Sequence, residues 1–396
     1  MRVLMIAPTS FFSDYGGHIR ILEEIRALEE RGVEIAVVTY YKGRDVPGID
    51  IRRTAPLPWR TDYEVGSSRH KIAFDAYLAV RSLKEIRRYR PDIIHGHMHE
   101  GALIGGVLAR LYGLPLVFDY QGSLTAEMVD HHFLNPEGWV YPWAFRMEAA
   151  ITRRLPNAIL TSSSHAGDLL RERFGVQRDL IHALPDCADA VQFDPARFPY
   201  KPGNHPLRAR LNISPETVVV GYLGLLTDYQ GIPHLIESAV DCRRRGLDVH
   251  FLIMGFPNVD HYQNLAQARG VDDIVTFTGR VPFDDAPYFL SVCDIAAAPK
   301  MSLSEGSGKL LNYMAMELPV VVYDTPVNWE YLGDLGVYAP TGDASAFAEA
   351  LVSLINDPVG RTDIGRKLRR RVIEKFSWPA AAEQILAIYK DLTNRE

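Results

Sequence analysis

The chain has 396 residues, of which 47% are hydrophobic and 23% charged, with a formal net charge of −6. That length suits two domains with full cores, and a net acidic chain has no global positive field with which to recruit nucleic acid. Its three cysteines, Cys187, Cys242 and Cys293, form no CxxC pair, which argues against a disulfide framework or a cysteine zinc site and fits a reducing compartment.

The N-terminal run Val3–Ala7 (VLMIA) predicts a short buried strand, stopped at Pro8. After the loop SFFSDYGG, apolar Ile21, Leu22, Ile25 and Leu28 fall at helical spacing, so Ile19–Arg31 predicts a helix ended by Gly32. Val33–Thr39 follows as the next strand, completing a β-loop-α-β unit of a doubly wound parallel sheet. The alternation continues through DIIHGH, a helix over Gly101–Tyr112, the strand PLVFDY, a helix over Pro142–Arg154, the strand AILTSS and a helix over His165–Phe174.

The pattern restarts at the strand Val218–Leu223. It runs through the helix Ile232–Arg245, the strand HFLIMG, a helix over 260–269, VTFTG, a helix over 284–292, DIAAAP, PVVVYD and the helix Ala344–Asn356. Two Rossmann-like halves in tandem are therefore expected, joined near the polar, Pro-rich stretch Pro195–Pro215. The expected domains are 1–195 and 196–375, with a closing helix in 376–396. Ligands of such folds sit at the carboxyl ends of the strands, so two facing halves make a cleft lined by loops from both.

At those strand ends stand the candidate site residues. Gly16 and Gly17 lie between the first strand and helix without G-x-G-x-x-G; they suit either close backbone approach to a phosphate or a plain turn. His95, His97 and His99 alternate where a strand meets its loop; a metal is one reading, and lining of a pocket is preferred. Asp119, Gln121 and Glu127 surround the end of PLVFDY, with Asp119 open to a role as base or cap. The segment SEGSGKLLNYMAMELPVV, Ser304–Val321, places glycines and a lysine at a helix start, where free N–H groups suit an anion. It is no Walker A loop, because Leu303 and Leu310 stand where that motif needs Gly and Ser or Thr.

Arg81, Lys84, Arg87, Arg88 and Arg90 cluster near a helix end. They suit a solvated helix C-terminus, with an anionic membrane surface as the sharper reading. The aromatic run WVYPWAF (139–145) suits either the core or an apolar acceptor site, with the core preferred. No stretch reaches the roughly 18–20 apolar residues of a membrane span, and the N-terminal apolar run is too short for a signal peptide. The expected location is cytoplasmic, with peripheral attachment at the inner membrane face as the alternative.

In order along the chain, the Gly16–Gly17 opening, RPDIIHGH, SSSHAGDLLRERFG, PDCADAVQFDP, GYLGLLTDYQGIPHLIESA, LIMGF, VTFTGRVP, CDIAAAP, KLLNYMAMELPVV and the terminal FSWPAAAEQILAIYKDL resemble the family-4 (group 1) retaining glycosyltransferases. The resemblance spans nearly the whole chain. It implies the GT-B fold, with an acceptor-side first domain, a donor-side second domain and a closing helix that crosses back. It implies transfer of a sugar from a nucleoside diphosphate sugar to an acceptor hydroxyl with retention, by front-face attack and without a metal or resident cofactor. The implied partners are that donor and a sugar, glycan or lipid-linked acceptor.

By the same resemblance, Gly16, Gly17, Gly224, Leu225, Gln230, Gly255, Arg280, Val281, Ser304, Gly306, Ser307, Gly308, Leu310 and Asn312 line the donor site. Gln121, His97, Glu305 and Lys309 are the catalytic candidates. The sequence departs from the family pattern at several of these. Asn312 stands where the second glutamate of E-x7-E belongs, and Glu305 fits the first only after a one-residue shift. Leu225 and Gln230 replace the usual arginine and lysine, and Gln121 stands at the usual histidine. Lys309, with Lys300 or Arg280, is expected to restore charge. A 2-epimerase of the same fold and a non-catalytic nucleotide-sugar binder are the alternatives.

Overall fold

The computed structural model describes residues 1–13, 16–57, 71–130, 133–199, 204–302 and 306–394. Two parallel sheets organise the chain. The first joins β1 (Arg2–Ala7), β2 (Glu34–Thr39), β3 (Asp50–Arg53), β4 (Ile93–His97), β5 (Leu116–Tyr120), β6 (Ala158–Thr161) and β7 (Ile181–Ala183) in the order β3-β2-β1-β4-β5-β6-β7. The second joins β8 (Val218–Leu225), β9 (Val249–Phe256), β10 (Val275–Gly279), β11 (Ile295–Ala298), β12 (Val320–Tyr323) and β13 (Val337–Ala339) in the order β10-β9-β8-β11-β12-β13. This is the GT-B arrangement, two Rossmann-like parallel-sheet domains.

The central strands are apolar throughout because helices cover both faces. Val3–Ala7 and Val320–Tyr323 are fully buried. In each sheet the strand order reverses beside the first strand, between β1 and β4 and between β8 and β11. A crevice for ligand opens at such a reversal, outside the carboxyl ends. Glycine sets the packing at the first of these points. A Cβ on Gly101 would stand 2.5 Å from the Ile6 carbonyl oxygen, so helix Met98–Tyr112 lies directly on β1.

Helix Trp378–Thr393 ties the far end of the chain to the first sheet. Its Trp378, Ala382, Ile385 and Tyr389 share one apolar core with Ile21, Leu22, Ile25 and Leu28 of helix Gly16–Glu29. The crossing is pinned by Ala188 N–H to Phe376 O at 3.0 Å, Gln384 Nε2 to Ala183 O at 3.1 Å, and Arg31 Nη2 to Pro379 O at 2.7 Å.

Most expected elements sit within a few residues of their predicted bounds. Helix Met98–Tyr112 starts three residues before Gly101, directly off β4, with Met98 at φ 55°. The exception in burial is WVYPWAF. Trp139 is 83% exposed and Trp143 65% exposed, so this run is not core. Helix Tyr141–Arg154 buries only Glu148, Ile151 and Thr152, turning its aromatic first turn outward.

Candidate functional site

At the first reversal point, helix Gly16–Glu29 points its first turns over the ends of β1, β4 and β5. Arg20 and Glu24, four residues apart, share the face toward the sheet and are buried there. Arg20 bridges two carboxylates. Its Nη2 donates to Asp119 Oδ1 at 3.0 Å and its Nη1 to Asp186 Oδ1 at 2.7 Å, and Nη2 also reaches Leu184 O at 3.2 Å. Asp119 ends β5 and is fully buried. It also accepts from His97 Nδ1 at 3.0 Å and from Gln121 Nε2 at 2.8 Å.

Burial by itself would raise the Asp119 carboxyl, but Arg20 and His97 outweigh it and hold the group well below the usual carboxylate range. Burial would likewise ease deprotonation of Arg20, and Asp119, Asp186 and Glu24 more than offset that. The carboxylate accepts only, so His97 carries its proton on Nδ1.

Beneath this layer, His95 Nδ1 lies 2.6 Å from the hydroxyl of Tyr389 on the closing helix. Burial, then the neighbouring His97, push His95 well below the ordinary histidine value, so it is neutral. Glu24 Oε1 stands 3.2 Å from His95 Nδ1 without hydrogen-bond alignment, and both Glu24 oxygens lack a hydrogen-bond partner among the described residues. Burial pushes that carboxyl up.

On the second domain, Lys309 occupies the first turn of helix Gly308–Ala315. Its Nζ donates to Gln230 Oε1 at 2.7 Å and to Tyr222 OH at 3.1 Å, and lies 4.4 Å from the Tyr222 ring centre. Tyr222, within β8, donates to Leu225 O at 2.7 Å. The ammonium is thereby held over Gly224, where an added Cβ would be 3.0 Å from Nζ. Lys300 Nζ donates to Gly306 O at 3.0 Å, and the Arg280 guanidinium stacks 3.8 Å above Phe256.

The two halves meet at Asp186, just after β7. Its Oδ2 lies 3.5 Å from Tyr331 OH, which donates to Ser162 O at 2.8 Å. A Cβ on Gly306 would stand 2.7 Å from that same Oδ2 and 3.2 Å from Ser162 Oγ, so glycine is what lets the turn close on the first domain. Ser162 Oγ and Ser307 Oγ are buried without a hydrogen-bond partner among the described residues. Glu330 caps the other side of the contact, accepting from Ser164 N at 2.9 Å.

The expected site residues fall into distinct places. Gly17 and Gln121 meet: a Cβ on Gly17 would lie 2.5 Å from Gln121 Oε1. Gly16 opens the same helix with φ +34°. Gly224, Leu225, Gln230, Gly306, Ser307, Gly308 and Lys309 gather at the ends of β8 and of the chain after β11, and half-buried Asn312 follows one turn on. Gly255 supports them, since a Cβ there would stand 1.8 Å from the Gly224 carbonyl oxygen.

Other expectations are corrected. Leu310 and Val281 are buried in the core, so neither side chain reaches a donor. His97 is fully buried behind Asp119 and cannot touch a substrate; it orients that carboxylate. The three histidines do not share one face. His95 and His97 stack on β4 at 4.6 Å, while His99 lies in the next helix, 3.4 Å from Glu148. Ser304 and Glu305 lie outside the described residues. Arg20, Asp186 and Tyr389 escaped the sequence reading; a charged i, i+4 pair on the apolar face of a helix was the available signal for Arg20.

Among the described residues, Glu24, His95 and His97 are the group whose ligand atoms come within 4.8 Å of one another. The histidine rings are only 18° from parallel, which aims their nitrogens side by side and not at a common point. Each Nδ1 is already engaged, by Tyr389 and by Asp119. The set is better suited to join the closing helix to the sheet than to hold an ion. No helix among the described residues is long and apolar enough to cross a membrane.

Residues 16–187 match the profile described as "Glycosyl transferase 4-like domain" and residues 217–357 that of "Glycosyl transferases group 1". A 2-deoxystreptamine glucosyltransferase of Streptomyces kanamyceticus is 26% identical, over 96% of this chain and 99% of that protein. An alpha-maltose-1-phosphate synthase of Mycolicibacterium smegmatis is 28% identical, over 76% of this chain and 79% of its own. Among solved structures, sucrose-phosphate synthase from Thermosynechococcus elongatus superposes with a TM-score of 0.83 at 18% identity, covering all of both chains. Anabaena HepE in complex with UDP and glucose gives 0.78 at 16% identity, over 99% of this chain and 100% of that one. The two matched domains lie in the order of the family, the fold is that of these solved structures, and the chain belongs to the group 1, family-4 glycosyltransferases of GT-B fold.

Proposed function

We propose that the chain transfers a sugar from a nucleoside diphosphate sugar to an acceptor hydroxyl, with retention and without a metal in the transfer step. The observation that carries this reading is the placement of Lys309. Its ammonium is fixed by Gln230 and Tyr222 over Gly224, at the start of helix Gly308–Ala315. The sequence lacks a cation at Leu225 and at Gln230, and the helix-borne lysine brings one back beside Gln230. A cation and helix N–H groups together suit a leaving diphosphate, whose growing charge they stabilise without reorganising.

The unpartnered hydroxyls of Ser162 and Ser307 add donors beside the same turn. Across the cleft, Gly16 leaves the first domain's backbone open to close approach, and Gln121, packed against Gly17, presents an amide where the acceptor would enter. Arg20 and Asp119 hold Gln121 in place rather than react. The solution of HepE with UDP supports a nucleoside diphosphate as the donor class.

Thermal-shift titration of UDP, GDP, ADP and TDP and their sugar conjugates, without metal and then with Mg²⁺, tests the reading. A ligand selective for the folded chain raises its melting temperature. One base giving a shift that does not need Mg²⁺, with sugar transfer to an acceptor pool at the same donor, is the expected result. A shift without transfer would leave the non-catalytic binder, and no shift with any of them would overturn the donor reading.

A further inference from the structure

The first domain carries an apolar face that the transfer chemistry does not use. Along helix Met98–Tyr112, Leu103, Val107 and Leu111 repeat every four residues and are 40%, 50% and 71% exposed. That spacing puts them on one stripe, opposite the buried Gly101, Gly105 and Ala109. Helix Tyr141–Arg154 packs alongside, with Arg110 Nη2 hydrogen-bonded to Arg154 O and Gly106 against Leu155. It and the residues before it expose Phe133, Trp139, Val140, Trp143 and Met147. Large exposed apolar areas of this kind mark contact surfaces.

Charge identifies the partner. On helix Met98–Tyr112 and residues 133–154, the exposed charged residues are Arg110, Arg146, Arg153 and Arg154 against the lone acid Glu137. The Arg146 guanidinium lies 5.5 Å from the Trp143 ring centre, and Arg87 of the neighbouring helix donates to Tyr112 OH. This basic rim stands on a chain of net charge −6. A second copy is a poor partner, because a two-fold contact would set these arginines against their own kind. Tryptophans ringed by arginine fit the boundary of an anionic bilayer, where indoles sit at headgroup level and arginines meet lipid phosphate.

We infer that this face of the first domain, built on Trp139, Trp143, Val107 and Leu111 and rimmed by Arg110 and Arg146, docks on an anionic lipid surface. It adjoins the Arg81–Arg90 cluster to which the sequence pointed, through Arg87 and Tyr112, but is centred on two other helices. It is also independent of the donor reading.

Flotation of the full chain with vesicles of phosphatidylcholine, and of phosphatidylcholine mixed equally with phosphatidylglycerol, tests it. The chain should float with the anionic vesicles at low salt and be released as salt screens the arginines. The pairs Trp139→Ser with Trp143→Ser, and Arg110→Glu with Arg146→Glu, should each cut the bound fraction on the order of tenfold while the far-UV circular dichroism of the folded chain is kept. Absence of flotation, equal flotation on both compositions, or flotation that survives the substitutions overturns the inference. So does a dimer by sedimentation equilibrium that the tryptophan pair converts to monomer.

Discussion

Replacing Arg20 by methionine keeps the length of the side chain and removes the one cation that Asp119 and Asp186 share. Asp119 is fully buried, so it would remain as an uncompensated charge next to Glu24. Loss of one partner from a buried pair costs about 3–5 kcal/mol, and the hydrogen bonds to Asp119, Asp186 and Leu184 O go with it. For a domain of this size that is roughly 6–20 °C in melting temperature.

The pH dependence gives the prediction its sign. In the wild type, Asp119 is held well below the ordinary range, so its contribution is present above the ordinary carboxylate pKa of about 4 and is lost only as pH falls through the depressed folded value. Without Arg20 the folded carboxyl rises above the ordinary value and takes up a proton. The variant's deficit should therefore shrink as pH is lowered from about 8 to about 5. Thermal melts across that range, in a cycle with Asp119→Asn, are the assay. The double variant should recover part of the loss, since no charge remains at Asp119. A deficit under about 1 kcal/mol, or one that does not change with pH, would refute the argument that Arg20 is a charge-compensating hub.

Lys309→Met should weaken nucleoside diphosphate binding by about 1–3 kcal/mol in calorimetry, and Gln230→Leu by less, because Gln230 only holds the ammonium. Gly255→Ala should lower the melting temperature and the soluble yield, since its Cβ would meet the Gly224 carbonyl at 1.8 Å and overpacking against backbone costs about 1–3 kcal/mol or more. Burial would raise Glu148, but His99 and the Thr125 N–H and hydroxyl bring it down to about 2. Its contribution is present above the ordinary glutamate value and is lost as pH falls toward 2, so Glu148→Gln should melt lower at neutral pH and lose less stability on acidification.

The sequence made the architecture legible because the central parallel strands are continuous apolar runs and most long helices have a 3.6-residue stripe; the charged helix Pro358–Lys375 does not and was missed. β3, with Asp50–Arg53 as DIRR, and the three-residue β7 carry no such run and were missed; edge strands need little apolar sequence. The glycines of the site and Lys309 were visible as residue types at strand ends. Their partners were not, because Lys309 finds Gln230 and Tyr222 from 79 and 87 residues away. His97 was misjudged as cleft-lining for the same reason: nothing local shows that it is fully buried and spent on Asp119. WVYPWAF was misjudged because apolar character marks a residue for burial only when some element covers it; helix Ser164–Phe174 half-covers Phe145, and both tryptophans stay exposed.

Local patterning by itself determined the order of strands and helices, the two-domain form and the strand ends where a site must lie. Those follow from backbone geometry and from which faces are apolar. Tertiary structure decided which charges are paired. Arg20 lies 99 residues from Asp119 and 166 from Asp186, and Tyr389 lies 294 from His95. A buried charge is stable only beside its partner, and that partner is chosen by the packing of helices on sheets and not by neighbours in the sequence.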